Sequence, residues 1–198
     1  MTQSITLAST STTRRKVLTG AGVAFEAMSP GVDEAAIKES LLAEGATPRD
    51  IADALAELKA VKASNKRPGL VIGCDQTLEL EGRTLDKAGD LAEARAHLQA
   101  MRGKQHTLHA AVVVARDGAP IWREVKSARL TMRAFSDAYL DGYLEREGEA
   151  VLGSVGCYRL ESEGVQLFDR IDGDYFAILG LPLFGLLEFL RLHGALPR

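Results

Sequence analysis

Cysteine is scarce in this sequence of 198 residues, which contains only Cys74 and Cys157. Two cysteines cannot build a disulfide framework or a thiolate metal site, so we expect a reducing compartment, the cytoplasm. The chain does not open with a basic region followed by a long apolar core, and we therefore expect no signal peptide. The longest apolar stretch, 177–187, is interrupted by two glycines and a proline and is much shorter than the ~18 residues of a membrane span, which predicts no membrane partner.

An excess of charge of one sign is also lacking, because 24 Lys and Arg residues face 27 Asp and Glu residues, for a net charge of −3. A slightly acidic chain has no general attraction to nucleic acid, and the single tryptophan, Trp122, provides no stacking platform, so we expect no nucleic-acid partner. The four histidines have no metal-ligand spacing. An anionic ligand would therefore need a local cluster of basic side chains.

Strand and helix patterns alternate along most of the chain. The apolar runs Ile5–Ala8 and 70–74 predict buried strands, and Thr47 with Pro48 is a typical helix start. Further predicted elements are hairpins over 77–85 and 107–132, helices over 90–103, 136–147 and 182–193, and a strand over 165–171. This order predicts an α/β fold with a mixed sheet, and the length fits a single domain over 1–198 with two lobes.

A polar loop follows the first predicted strand. It carries five consecutive hydroxyl side chains from Ser9 to Thr13, and the helix that follows begins with Arg14 and Arg15. Free backbone N–H groups, the positive helix end and two guanidinium groups favour a polyanion such as a phosphate chain. The alternative is a capped helix with two solvated arginines. The loop lacks glycine and is therefore not a P-loop.

Asp75 follows the buried run 70–74, at the predicted end of that strand. Ligands of open α/β sheets bind outside strand ends, so this carboxylate could bind a divalent metal or accept a proton from water. The alternative is a turn aspartate that caps the next element. Glu34 could supply a second carboxylate or begin a helix. Lys59, on the flank of a helical apolar stripe through Leu58, and Lys87 are typical of solvated lysines.

Seven motifs in order over nearly the whole chain resemble the Maf family. They are Leu7 to Ser11, Arg14-Arg15, Val32-Asp33-Glu34, Leu55 to Ala60, Val71 to Gln76, Gly103 to His106, and Gly180 to Leu183. The resemblance implies a cytoplasmic nucleoside triphosphate pyrophosphatase that uses a divalent metal, Mg²⁺ or Mn²⁺. It also implies a two-lobed α/β fold similar to inosine triphosphate pyrophosphatases, with a cleft between the lobes, and it is compatible with a homodimer.

The resemblance also assigns residues. Asp75 matches the catalytic acidic residue; Arg14, Arg15, Lys59 and Lys87 match the basic positions that hold the triphosphate; and Ser9 and Glu34 match further pocket positions. Asp75 could be the base or, with Glu34, a ligand of the metal that activates water. Both roles stay open.

Three positions bear on the substrate. Gln76 and Glu161 match the branch linked to 7-methyl-GTP, whereas members similar to dTTP and UTP enzymes carry Thr and Gln there. A carboxylate at Glu161 suits a methylated guanine edge, which presents donors and a positive charge. Thr13, the third position, departs from the aromatic residue of some members of that branch. We therefore expect a modified nucleotide such as 7-methyl-GTP, with a dTTP/UTP enzyme or a non-catalytic nucleotide-binding regulator of cell division as alternatives.

Overall fold

The computed structural model describes residues 3–197 and confirms the α/β class. Its strands are β1 (Ile5–Ala8), β2 (Glu26–Met28), β3 (Leu70–Leu80), β4 (Arg83–Leu85), β5 (Gln105–Arg116), β6 (Ala119–Met132) and β7 (Phe168–Asp172). Its α-helices are α1 (Thr12–Gly20), α2 (Glu34–Ala43), α3 (Pro48–Ser64), α4 (Leu91–Met101), α5 (Asp137–Glu147), α6 (Tyr175–Ile178) and α7 (Leu183–Leu192), and 3-10 helices span Gly148–Gly153 and Glu163–Leu167. No helix within 3–197 is long and apolar enough to cross a membrane.

The seven strands form one mixed sheet in the order β2-β1-β3-β5-β6-β7, with β4 paired to β3. Strand β1 runs parallel to both β2 and β3, whereas β4 and β7 are antiparallel to their partners. The predicted long hairpin is confirmed: β5 and β6 are joined by Asp117 and Gly118, which both have positive φ, as a type I′ turn requires.

The chain divides into two compact units. The first contains the residues up to Gln76, His109–Lys126 and the residues from Asp174 onward, and the second contains Thr77–Leu108 and Ser127–Gly173. Strands β3, β5 and β6 contribute residues to both units.

In the first unit, helices cover both faces of the sheet. Because side chains alternate along a strand, β3 presents Leu70, Ile72 and Cys74 to one face. There they pack in a fully buried apolar core with α1, the segment around Leu181 and α7. Val71 and Gly73, which alternate with these residues along β3, face the other side of the sheet, where α3 lies. Asp75 therefore belongs to the α3 face, and the next residue, Gln76, belongs to the opposite face.

A layer of small side chains, which we call the small-residue layer, fills the space between α3 and the sheet. It consists of Ala52, Ala56 and Ala60 of α3 with Ala111, Val113 and Ala115 of β5, all fully buried. Gly73 of β3 belongs to the same contact, because a Cβ atom there would lie 2.2 Å from the carbonyl oxygen of Ala56. Helix and sheet thus approach as closely as backbones allow.

The second unit holds β4, β7 and helices α4 and α5. The predicted turn at Glu81 and Gly82 joins β3 to β4, and the predicted caps Asp90 and Ser136 accept hydrogen bonds from the first turns of α4 and α5. Its interior contains a polar pair: His106 Nε2 lies 2.8 Å from the hydroxyl of Tyr158, and both residues are buried.

Three sequence predictions are wrong. Asp75 does not end its strand, because β3 continues without interruption to Leu80. The residues of 163–167 form a 3-10 helix, and only the later part of the predicted strand, from Phe168 on, is extended. On α3 the predicted stripe is rotated: Leu58 is 41% exposed, whereas Lys59 is buried with 4% exposure.

Candidate active site

A buried lysine between two carboxylates lies at the centre of the candidate site in the first unit. Lys59 Nζ is 2.6 Å from Asp75 Oδ1 and 2.9 Å from Glu34 Oε1. The side chains of Lys59 and Asp75 are 5% and 9% exposed, whereas that of Glu34 is 51% exposed. The group therefore carries two negative charges and one positive charge, with its acidic side open to solvent at Glu34.

Local structure places each of the three side chains. Glu34 is the first residue of α2, directly after Asp33, whose side chain caps that helix. Lys59 projects from α3 toward the sheet, and Asp75 projects from β3 toward α3. The ion pair requires the close approach of helix and strand at Gly73, since a side chain there would push α3 away from the sheet.

Burial raises the pKa of Asp75 above its usual value, because a charged carboxylate is poorly solvated in the interior. The charges of Lys59 and Arg14 and the hydrogen bond from Lys59 act in the opposite direction, and the Glu34 carboxylate adds to the rise. A carboxylate whose pKa is raised, but which stays paired with a cation, is suited to accept a proton.

Arg14 links the polar loop to β3 and to the segment after α6. Its Nε donates to the Gly180 carbonyl at 2.8 Å, and its Nη1 donates to the Cys74 carbonyl at 3.2 Å. The same Nη1 lies 3.5 Å from the hydroxyl of Ser9, a buried residue that also accepts a bond from the Ser11 N–H. Arg14 is thus fixed next to the residue that precedes Asp75.

Arg15 has a buried donor without a partner. Its Nη2 donates to the carbonyl of Ser9 at 3.3 Å, but its Nε is buried and makes no hydrogen bond within the described part of the chain. An unsatisfied buried donor costs about 1–3 kcal/mol. Arg15 lies in the first turn of α1, where free N–H groups favour an anion, so a phosphate oxygen would satisfy this guanidinium.

The carboxylates of the site fit a divalent cation that is also coordinated by the phosphates of a bound ligand. Among residues 3–197, no cluster of three or more His, Cys, Asp and Glu side chains could hold a metal alone. Asp75 Oδ1 and Glu34 Oε1 both contact the ammonium of Lys59, so a metal ion would have to use their other oxygens or displace that ammonium. Mg²⁺ is commonly held by one or two carboxylates together with substrate phosphates and water, and this pair matches that donor set.

Six of the predicted site residues thus lie in the first unit, in two groups: Arg14 and Arg15 contact Ser9, and Lys59 contacts Glu34 and Asp75. Arg14 brings the groups close together, because it donates to the carbonyl of Cys74, the neighbour of Asp75. Thr13 lies half-buried in the first turn of α1. Gln76 donates from Nε2 to the carbonyls of Ala177 and Ile178. Lys87 and Glu161 belong to the second unit, where both are exposed, and Glu161 lies 3.8 Å from Arg159.

The sequence argument gave no role to two glycines of the site. Gly73 permits the contact of α3 with β3, and Gly180, with a φ of +87°, presents its carbonyl to Arg14. Both glycines lie inside motifs that resemble the Maf family. Their place in those motifs is the sequence feature that could have indicated a structural role.

Comparison with known proteins relates the sequence to one family. The sequence model of a family described as Maf-like protein matches residues 4–193. A Caulobacter vibrioides protein named nucleoside triphosphate pyrophosphatase is 72% identical over 192 residues, which cover 97% of this chain and 96% of that protein. Proteins of the same name from Roseobacter denitrificans and Granulibacter bethesdensis are 52% and 53% identical; the alignments cover 100% of both chains in the first case, and 96% of this chain and 97% of the relative in the second.

Proposed function

The chain belongs to the Maf-like protein family, and on this premise we propose that it is a nucleoside triphosphate pyrophosphatase, a hydrolase acting on an acid anhydride. It would convert a nucleoside triphosphate into the monophosphate and pyrophosphate. The observation that carries the proposal is the buried Asp75 carboxylate, which lies 2.6 Å from Lys59 and directly after Cys74, whose carbonyl accepts from Arg14. The name shared by the relatives supports the reaction class.

Arg14 and Arg15 are the proposed triphosphate-binding groups. Both side chains are fixed by backbone carbonyls, so their charges are oriented before the substrate arrives. The Nε of Arg15 is buried without a hydrogen-bond partner among the described residues. Lys87, exposed in the second unit, is proposed as a further basic contact on the strength of the resemblance.

Asp75 is the proposed proton acceptor. A water molecule attacks the α-phosphorus, its proton passes to the Asp75 carboxylate, and the bond between the α-phosphorus and the bridging oxygen breaks, so that pyrophosphate leaves. Burial raises the pKa of Asp75, and the charge and hydrogen bond of Lys59 oppose that rise and so favour the ionised form before the attack. In the alternative role, Asp75 would hold a Mg²⁺ or Mn²⁺ ion together with Glu34, and that ion would neutralise phosphate charge when bound.

The test is pyrophosphate release from a panel of canonical and methylated nucleoside triphosphates, with Mg²⁺ or Mn²⁺. We expect release by the natural protein and a loss of at least about 100-fold in Asp75→Asn, since a general base contributes roughly 10²–10⁴ in rate. Asp53→Asn is the matched control. Asp53 is a residue of α3 in the first unit, but its carboxylate pairs with Arg123 and not with Lys59. Nucleotide binding without release would instead favour a non-catalytic regulator.

We further propose that the substrate is a modified nucleotide such as 7-methyl-GTP, read by Glu161. The proposal is supported by the resemblance at Gln76 and Glu161. It is also supported by ionic and hydrogen bonds that fix the loop around Glu161. The buried Glu147 side chain binds that loop through Arg159 at 2.9 Å and through the Ser162 hydroxyl.

Glu161→Gln should selectively reduce turnover of the methylated guanine nucleotide, by about 10-fold or more, because one well-formed polar contact to a base is worth roughly 1–3 kcal/mol. The matched control is Glu163→Gln, which alters a carboxylate paired with Arg146 two residues away. Equal losses on every nucleotide would contradict base recognition by Glu161. A preference for dTTP and UTP in the natural protein would contradict the choice of substrate.

A further inference from the structure

Gln76 is adjacent to the proposed catalytic residue but faces away from it. Successive side chains of a strand point to opposite faces of the sheet, and Asp75 points to α3. The Gln76 side chain points to the other face, where its Nε2 lies 3.0 Å from each of the carbonyl oxygens of Ala177 and Ile178. Both protons of the amide are therefore used within the protein.

The two carbonyls that Gln76 binds belong to α6, a single helical turn. The Ala177 carbonyl also accepts from the Gly180 N–H at 2.9 Å, whereas the Ile178 carbonyl is the last of the helix, where the helix itself offers no donor. Asp174 caps the other end of the turn by accepting from the Ala177 N–H at 2.7 Å. Gln76 thus ties α6 to β3.

Gly180 follows α6 by two residues, and its carbonyl accepts from Arg14 Nε at 2.8 Å. Its φ of +87° aims the carbonyl at the guanidinium, and a Cβ atom on Gly180 would lie 3.1 Å from Nε. Arg14 in turn donates to Cys74, two residues before Gln76 in β3. The hydrogen bonds close a ring from Gln76 through α6, Gly180 and Arg14 back to the same strand.

We infer that Gln76 is a positioning residue for Arg14, and that it acts on the triphosphate through the α6–Gly180 segment and not by contact with the base. The inference rests on the proposed function, in which Arg14 binds phosphate. It predicts that losing the Gln76 amide weakens the binding of any triphosphate, with or without a base.

The experiment measures binding of inorganic tripolyphosphate, without added metal, by calorimetry. This probe has no base and requires no turnover, so it is independent of whether the natural protein releases pyrophosphate from any nucleotide. Gln76→Met, which keeps the length of the side chain and removes the amide, should weaken binding by roughly tenfold, the equivalent of about one lost hydrogen bond to a charged group. Gln99→Met, a change on α4 in the second unit, should leave it unchanged.

A double-variant comparison separates positioning from general damage. Arg14→Lys keeps the charge but loses the planar guanidinium, and Gln76→Met in that background should add little further loss. If Gln76→Met does not fold, Gly180→Ala perturbs the same ring and should show the same dependence on Arg14. Unchanged tripolyphosphate affinity in Gln76→Met, or losses that multiply fully in the double variant, would overturn the inference. In steady-state kinetics, Gln76→Met should raise KM more than it lowers kcat, because the expected loss is in phosphate binding.

Discussion

Lowering the pH should destabilise the protein through His106. This imidazole is 2% exposed, its Nε2 is 2.8 Å from the Tyr158 hydroxyl, and its Nδ1 is buried without a partner in the described residues. Burial lowers the pKa of His106 from 6.5 to about 4, because a charged imidazole would lose its hydration there. The folded protein thus holds His106 neutral at pH values where the unfolded chain protonates it.

The sign and size of the effect follow from linkage. Between pH 6.5 and about 4 the unfolded state binds more protons at His106 than the folded state, so the free energy of unfolding falls as the pH falls. Each pH unit in this window costs about 1.4 kcal/mol. The loss from this residue is therefore about 2 kcal/mol at pH 5 and about 3 kcal/mol at pH 4, and it should not grow further below that.

Urea unfolding at pH 7 and pH 5, followed by circular dichroism, measures this loss. Other groups titrate too, so the informative quantity is the difference between the natural protein and His106→Gln, which cannot titrate. We expect the natural protein to lose about 2 kcal/mol more than the variant between the two pH values. Tyr158→Phe is the matched control: it removes the hydroxyl but leaves the imidazole buried, so it should keep the pH dependence. Identical pH dependence of the natural protein and His106→Gln would refute the reasoning.

Two further predictions concern the buried face of β3 and the thiols. Gly73→Ala should lower the free energy of unfolding by at least about 2 kcal/mol in urea, because its Cβ would lie 2.2 Å from the Ala56 carbonyl oxygen; unchanged stability would contradict that packing. Cys74 and Cys157 should both resist iodoacetamide at pH 8 until the protein unfolds, since burial raises the pKa of each thiol to about 11. Mass spectrometry counts the added groups, and rapid alkylation of the folded protein would show that the thiols are accessible.

The elements with strong local signals were predictable from the sequence. The caps Thr47, Asp90 and Ser136 and the Asp117-Gly118 turn lie where the structure has them, because each depends on residues within a few positions. Apolar runs likewise identified β1 and the first half of β3. The short strand β2 and the single turn α6 carry no comparable pattern.

The errors arise where tertiary contacts outweigh local pattern. Asp75 and Gln76 interrupt an apolar run and so resemble a strand end, yet Lys59 and the α6 carbonyls satisfy them inside a continuous strand. Similarly, Lys59 looks like a solvated residue until Asp75 is placed opposite it. Pairing between residues distant in sequence is not visible in either segment alone.

The alternating pattern of 165–171 predicted a strand, but the chain is extended only from Phe168 on, for a related reason. Glu147 accepts from the Ser162 hydroxyl and the Glu163 N–H, which holds the start of a 3-10 turn. Gly164 packs against the backbone of Arg159, where a Cβ would lie 2.5 Å from the carbonyl oxygen. These contacts curl the chain before Phe168 and leave Val165 49% exposed.

The small-residue layer has a consequence for protein engineering. The distance between α3 and the sheet is set by alanines and one glycine, and the reach of Lys59 toward Asp75 depends on that distance. A library that randomises only the polar positions of the site changes the side chains but leaves the distance between α3 and the sheet unchanged. Conversely, a single added methyl group in the small-residue layer would change the distance between Lys59 and Asp75 without replacing a charged residue. Redesign of the substrate range should therefore leave these apolar positions unchanged.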